Sequence, residues 1–211
     1  MPKRKMKKIR EIKTFSNVLE APGDIKGRWS SLFGNKNHIV LELGCGKGAY
    51  TISLAEMFPN DNFIGVDIKG ARMWTGAKQA LEKKLPNVAF LRIGIEFITD
   101  YFAENEVDEI WITFPDPYPK NRSIKKRLTS PGFLKMYEHI LKEGGLVHLK
   151  TDDIKLFNYT VQVLKSEKIK IIKNITDIYS HKLDPVVEIK TEYELKHLEE
   201  GRKINYLSFS L

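Results

Sequence analysis

The stretch "LELGCGKGAY", residues 41–50, holds the first side chains with chemistry to offer. Gly44, Gly46 and Gly48 follow an apolar run and precede helix-compatible residues, so the backbone can turn tightly and bring amides at a helix start close to a ligand. The spacing Gly44-x-Gly46-x-x-Ala49 also meets a loose dinucleotide fingerprint, which admits a nicotinamide or flavin site. Glu42 argues otherwise. Two residues before Gly44, at a strand's carboxyl end, its charge would repel a pyrophosphate and attract a ligand with an ammonium or sulfonium centre. S-adenosylmethionine carries both cationic centres and no phosphate. Asp67, about 20 residues past the loop, is placed to accept hydrogen bonds from ribose hydroxyls. Lys47 lacks the spacing and the following Ser or Thr of a phosphate-binding loop, and Cys45 reads as a small filler rather than a nucleophile.

A second cluster, "TFPDPYPKNRSIKKRL" at 113–128, sets three prolines, one aspartate and five basic side chains directly after an apolar run. Such a stretch is neither a central strand nor an unbroken helix. Its prolines would hold Asp116 and Tyr118 in place, and the basic run Lys120, Arg122, Lys125, Lys126, Arg127 suits the phosphates of a polyanion. A third cluster, "TEYELK" at 191–196, has the capping-box pattern of Thr191 with Glu194, which starts a helix and can still present Glu192 or Tyr193.

These clusters need a frame. Short β-rich runs at 38–43, 62–67, 88–93, 108–114 and 145–151 alternate with helix-compatible segments near 48–57, 69–85, 95–104, 130–142 and 153–167. Ser130-Pro131 marks a helix start and Gly144-Gly145 a helix stop. Strict alternation predicts a Rossmann-like α/β fold with a mostly parallel sheet and helices on both faces. Two further strands, 168–176 and 204–211, joined by a long polar connection, bring the expected count to seven, with one antiparallel strand at the edge. Ligands of such sheets collect outside the carboxyl ends of the strands where strand order reverses, so the glycine loop and Asp116 are expected on one rim.

The totals narrow the class. A length of 211 residues suits one domain, expected over 16–211, and no apolar run is long enough to span a bilayer. The basic N-terminus lacks the apolar block and cleavage site of a secretory signal, which points to a cytoplasmic protein. A lone cysteine and scattered histidines predict no metal site. The net charge of +8 is uneven: residues 1–13 carry seven basic side chains against one glutamate, a net +6, which leaves +2 for the rest. Residues 1–15 therefore read as a flexible basic arm that orders on meeting a partner, and nucleic acid is the expected partner. Trp29, Trp74 and Trp111 read as packing residues.

With those residues in view, the chain resembles the bacterial tRNA (guanine-N7)-methyltransferases. The likeness rests on "ELGCGKG" at 42–48, "GVD" at 65–67, "FPDPYPKNRSIKKRL" at 114–128, "KTDD" at 150–153 and "TEYELK" at 191–196. The proline-rich segment with its basic run is the most specific of these. The resemblance implies a class I methyltransferase fold, S-adenosylmethionine as donor, and transfer to N7 of the guanosine at position 46 in the tRNA variable loop. It implies cofactor contacts from Glu42, Gly44, Gly46, Gly48, Asp67, Gly94 and Asp116. It implies substrate contacts from Lys120, Asp152, Thr191, Glu192, Tyr193 and Glu194, and RNA contacts from Arg122, Lys125, Lys126 and Arg127. Asp116 is the expected catalytic group, helped by Asp152 or Glu194. Two positions depart from the family pattern: Tyr118 stands where tryptophan is common, and Gly94 where an Asp or Asn near the adenine is usual, so that the Gly94 backbone or Glu96 would have to stand in. The protein is expected to act as a monomer or homodimer with no obligate protein partner. The competing readings are a non-catalytic RNA-binding protein on the same fold and, more distantly, an NAD(P)-dependent oxidoreductase.

Overall fold

The computed structural model describes residues 3–182 and 184–211. In chain order the helices are α1 (Lys3–Glu11), α2 (Trp29–Phe33), α3 (Ala49–Met57), α4 (Gly70–Glu82), α5 (Ile98–Tyr101), α6 (Pro131–Ile140), α7 (Ile154–Ser166) and α8 (Glu192–Glu199). The strands are β1 (Val18–Glu20), β2 (Ile39–Leu43), β3 (Asn62–Val66), β4 (Val88–Arg92), β5 (Val107–Thr113), β6 (Leu141–Thr151), β7 (Lys170–Ile175) and β8 (Asn205–Ser210). They form one sheet in the order β1-β4-β3-β2-β5-β6-β8-β7.

Every residue of β2 and β3 is buried, as expected of parallel strands covered on both faces. The alternation along β2 shows the two layers. Ile39, Leu41 and Leu43 join the core beneath α2, α5, α6 and α7, while Val40 joins Tyr50, Leu54, Met73 and Ala77 beneath α3 and α4. Chain order turns back between β2 and β5, so the loops after these strands flank the switch point.

The sheet differs from the expected one in two ways. It has eight strands, because Val18–Glu20 pairs parallel to β4; three residues carry too little alternation to signal a strand. The antiparallel strand is not at the edge: β8 runs antiparallel to both β6 and β7, and the edge strand β7 points the same way as the rest. Gly144-Gly145 is not a helix stop either. The helix α6 ends at Ile140, and Gly144, with φ +76°, lies in an irregular part of β6 between its pairing at Leu141 and at Leu146.

Residues 1–15 were expected to be without fixed structure. From Lys3 to Glu11 they are helical, Ile12 is fully buried, and the helix lies against α4. The Lys8 ammonium sits 4.2 Å above the Trp74 ring and donates to the Thr75 hydroxyl. Charge counting missed the inward row Lys8, Ile9, Ile12, which gives the segment a face to dock with; Arg4, Lys5, Lys7 and Arg10 remain exposed. No helix among the described residues is long and apolar enough to cross a membrane.

Candidate active site

At the carboxyl end of β2 the chain reverses through Gly44, Gly46 and Gly48, with φ of +78°, +57° and +73°, before α3 begins at Ala49. Left-handed backbone at three alternate positions is why the sequence needs glycine there. A Cβ on Gly48 would lie 2.6 Å from the Phe90 ring, and Gly76 of α4 packs directly against the same loop. The loop is held by a carboxylate: Gly46 N–H donates to Asp67 Oδ2 at 2.9 Å, and Lys69 N–H to Asp67 Oδ1 at 2.7 Å. Each oxygen keeps a further lone pair for a ribose hydroxyl.

Glu42 lies beneath this loop, buried, and not on the cavity wall. It accepts from the Thr51 amide at 2.9 Å, satisfying an orphan N–H in the first turn of α3, from the Thr51 hydroxyl, and from the Thr113 hydroxyl at 2.8 Å. Burial outweighs these bonds and raises its pKa to about 7. In this position Glu42 fixes the helix start behind the glycines and ties β2 to the end of β5. Cys45 is buried with its thiol pKa pushed up by desolvation, which fits a filler.

After β4, Gly94 and Glu96 face the same cavity. A Cβ on residue 94 would meet the Glu96 carboxylate at 2.7–2.9 Å. The missing side chain at Gly94 therefore leaves a space that the Glu96 carboxylate fills.

After β5, Phe114 and Tyr118 adopt φ of +49° and +43°, left-handed values that cost non-glycine residues energy and need outside support. Phe114 N–H donates to Lys150 O at 2.8 Å. Arg127 reaches back across the loop, donating from Nε to Pro117 O at 3.0 Å and from Nη2 to Tyr118 O at 3.1 Å, with its guanidinium 4.3 Å from the Tyr159 ring. It is only 7% exposed, and its guanidinium is committed to bracing the proline loop. Asp116 is exposed and lines the cavity, as do Tyr118, Lys125 and Lys126; Lys120 and Arg122 are exposed but lie off its wall.

The last expected group scatters. Thr191 caps α8, accepting from Glu194 N–H at 3.2 Å, but the Glu194 side chain turns inward. It is fully buried, accepting from Lys150 Nζ at 2.8 Å and from the Tyr179 hydroxyl at 2.6 Å, so both carboxylate oxygens are engaged within the protein. Desolvation lowers the Lys150 pKa, opposed by the Glu194 charge. Asp152 is engaged by Arg202 at 2.7 Å and lies 3.1 Å from His197 Nδ1, so it too is partnered within the protein. Glu192 and Tyr193 stay exposed: Glu192 pairs with Lys47 of the glycine loop, and the Tyr193 ring lies 5.9 Å from Phe114 on the cavity wall. Lys150, Tyr179, His197 and Arg202 were not anticipated as site residues. Of these, only Lys150 had a sequence signal, a lysine inside the apolar run "GLVHLKT".

These loops enclose a cavity of about 540 Å³, large enough for a nucleoside cofactor, lined by Gly44, Asp67, Gly94 and Asp116. A family profile described as "putative methyltransferase" matches residues 36–207. A tRNA (guanine-N(7)-)-methyltransferase of Christiangramia forsetii is 47% identical over 99% of this chain and 98% of its own. One of Bacteroides thetaiotaomicron is 44% identical over 100% of this chain and 87% of its own. The chain belongs to the tRNA (guanine-N(7)-)-methyltransferase family.

Among solved structures, an antibiotic-related methyltransferase superposes with a TM-score of 0.66 over 93% of this chain and 97% of its own, at 19% identity. The 16S rRNA methyltransferase KamB does so with a TM-score of 0.66 over 88% and 93%, at 16% identity. These share the fold. Within the tRNA (guanine-N(7)-)-methyltransferase family fold, the cavity wall divides into two parts. Ile68, Ile93 and Ile95 give one part an apolar surface for a base beside the Asp67 carboxylate, and the loop from Phe114 to Tyr118 gives the other a single exposed acid.

Proposed function

We propose that the protein transfers a methyl group from S-adenosylmethionine to N7 of a guanosine in tRNA, giving 7-methylguanosine, with position 46 of the variable loop as the target. The observation that carries this reading is the meeting of Asp67, Gly94 and Asp116 in one cavity at the switch point, with Lys125 and Lys126 also on its wall. S-adenosylmethionine supplies an electrophilic sulfonium methyl. Asp67 binds the ribose hydroxyls, and Gly94 with the neighbouring Glu96 carboxylate faces the adenine amine. Guanine N7 has an in-plane lone pair and no proton to lose, so no base is needed. Asp116 instead orients the guanine by accepting from its N1–H and exocyclic amine, and offsets positive charge developing on the purine.

Lys120, Arg122, Lys125 and Lys126 take tRNA phosphates, and the exposed Arg4, Lys5, Lys7 and Arg10 of α1 supply a second set of cations for the same polyanion. The protein works in the cytoplasm as a monomer or homodimer. Incubation with S-adenosylmethionine and unmodified tRNA, followed by mass spectrometry of the nucleosides, should yield 7-methylguanosine. Intact tRNA binding without any methylated nucleoside would leave the non-catalytic reading standing instead.

A further inference from the structure

The β6 residue Lys150 is fully buried and spends all its donors on one segment. Its ammonium donates to Val187 O at 2.8 Å, Ile189 O at 3.0 Å and Glu194 Oε2 at 2.8 Å, which exhausts the three hydrogens of a lysine. The other Glu194 oxygen takes the Tyr179 hydroxyl, so no polar atom of the pair is left over. The chain from 184 to 191 forms turns and no regular element, so the carbonyls of Val187 and Ile189 depend on a donor from outside it. The same segment is pinned at Val186 O by the Tyr50 hydroxyl at 2.8 Å. Lys150 also accepts from Phe114 N–H through its own carbonyl, at 2.8 Å. One residue thus fastens the strained start of the Asp116 loop through its main chain and the 187–194 segment through its side chain.

We propose that Lys150 is a positioning residue, which with Glu194 and Tyr179 sets the first turn of α8 against the cavity so that Tyr193 and Glu192 face the base beside Phe114. The proposal rests on the methyl-transfer reading above. A buried ion pair of this kind adds little net stability compared with apolar packing, but it specifies a location, because each carbonyl must return to the ammonium. Apolar residues could cover the same area and would leave the segment free to slide.

The test compares Lys150→Met, Tyr179→Phe and the double variant Lys150→Met with Glu194→Leu, for kcat and KM toward tRNA, cofactor affinity by calorimetry and amide exchange. Lys150→Met should lower kcat/KM for tRNA about 10- to 100-fold, leave cofactor affinity within about twofold, and raise exchange across 187–199 while 44–48 stays protected. Tyr179→Phe, which removes one hydroxyl, should move the same quantities by about threefold and covers the case in which Lys150→Met does not fold. The double variant should regain melting temperature without regaining kcat/KM. Folded variants with wild-type kcat and KM, or a double variant restored in both stability and turnover, would overturn the proposal. Failure of the wild-type protein to make 7-methylguanosine would instead count against the methyl-transfer reading itself.

Discussion

On the β2–β3–β4 side of the cavity the chain fixes its ligand-facing groups over short distances, whereas on the β5–β6–α8 side it reaches across far longer ones. Asp67 bonds Lys69 two residues away and Gly46 at a separation of 21; Glu42, behind the loop, bonds Thr51 at a separation of 9 and reaches out of this wall to Thr113 of β5 at 71. Lys150 bonds Val187, Ile189 and Glu194 at separations of 37, 39 and 44, and Arg202 bonds Asp152 at 50. Apart from the Glu42–Thr113 tie, the first wall is complete once three neighbouring strands pair. The second depends on single side chains, so one substitution there can release a whole loop while the sheet stays intact.

The sharpest way to test that contrast is at Asp116, the exposed acid of the second wall. Asp116→Asn should reduce methyl transfer about 10²- to 10³-fold while leaving cofactor and tRNA affinities within about threefold, read from radiolabelled transfer and equilibrium binding. A variant that binds both ligands and turns over at the wild-type rate would remove Asp116 from its assigned role.

Glu42 probes the first wall through pH. Its pKa is about 7 in the folded protein against 4.5 for the free side chain, so folding takes up a proton between those values. Stability from this group is therefore fully present below about 4.5 and is lost as pH rises to about 7, a swing of up to about 3 kcal/mol. Glu42→Gln lacks the titration. Its stability relative to wild type should improve by that order between pH 5 and pH 8 in chemical denaturation; parallel curves for the two proteins would mean the carboxylate is not held up by burial.

Arg127 separates bracing from RNA contact within one basic run. Arg127→Lys keeps the charge but loses the fork that spans two carbonyls, and should lower kcat about tenfold with no change in the salt dependence of tRNA binding. Arg122→Ala should instead weaken tRNA binding and reduce its salt slope by about 1. Equal effects of the two on the slope would place Arg127 on the RNA after all.

What the sequence revealed follows the same division. The glycine loop, Asp67 and the alternation of strand and helix were legible because each is a local pattern: three glycines at alternate positions, an acid closing a strand, apolar runs of fixed period. The proline loop was legible as a rigid site, since three prolines in five residues mean stiffness wherever they fall. What stayed hidden was the direction of individual side chains. Glu194 looked like half of a capping box and Arg127 like one of five equivalent cations, yet both turn inward, because their partners, Lys150 and the carbonyls of Pro117 and Tyr118, meet them only after the chain has folded. β1 was missed for its brevity, and the docking of α1 because its inward-facing positions include a lysine.

The placement of β8 between β6 and β7 has a consequence for synthesis. Strands β3 to β6 each find a neighbour that has already emerged from the ribosome, but β7 comes out with no berth beside β6 until β8 follows and pairs with both. Until that closure is made β6 shows an unpaired flank, which leaves a nascent copy open to capture by chaperones or by its neighbours.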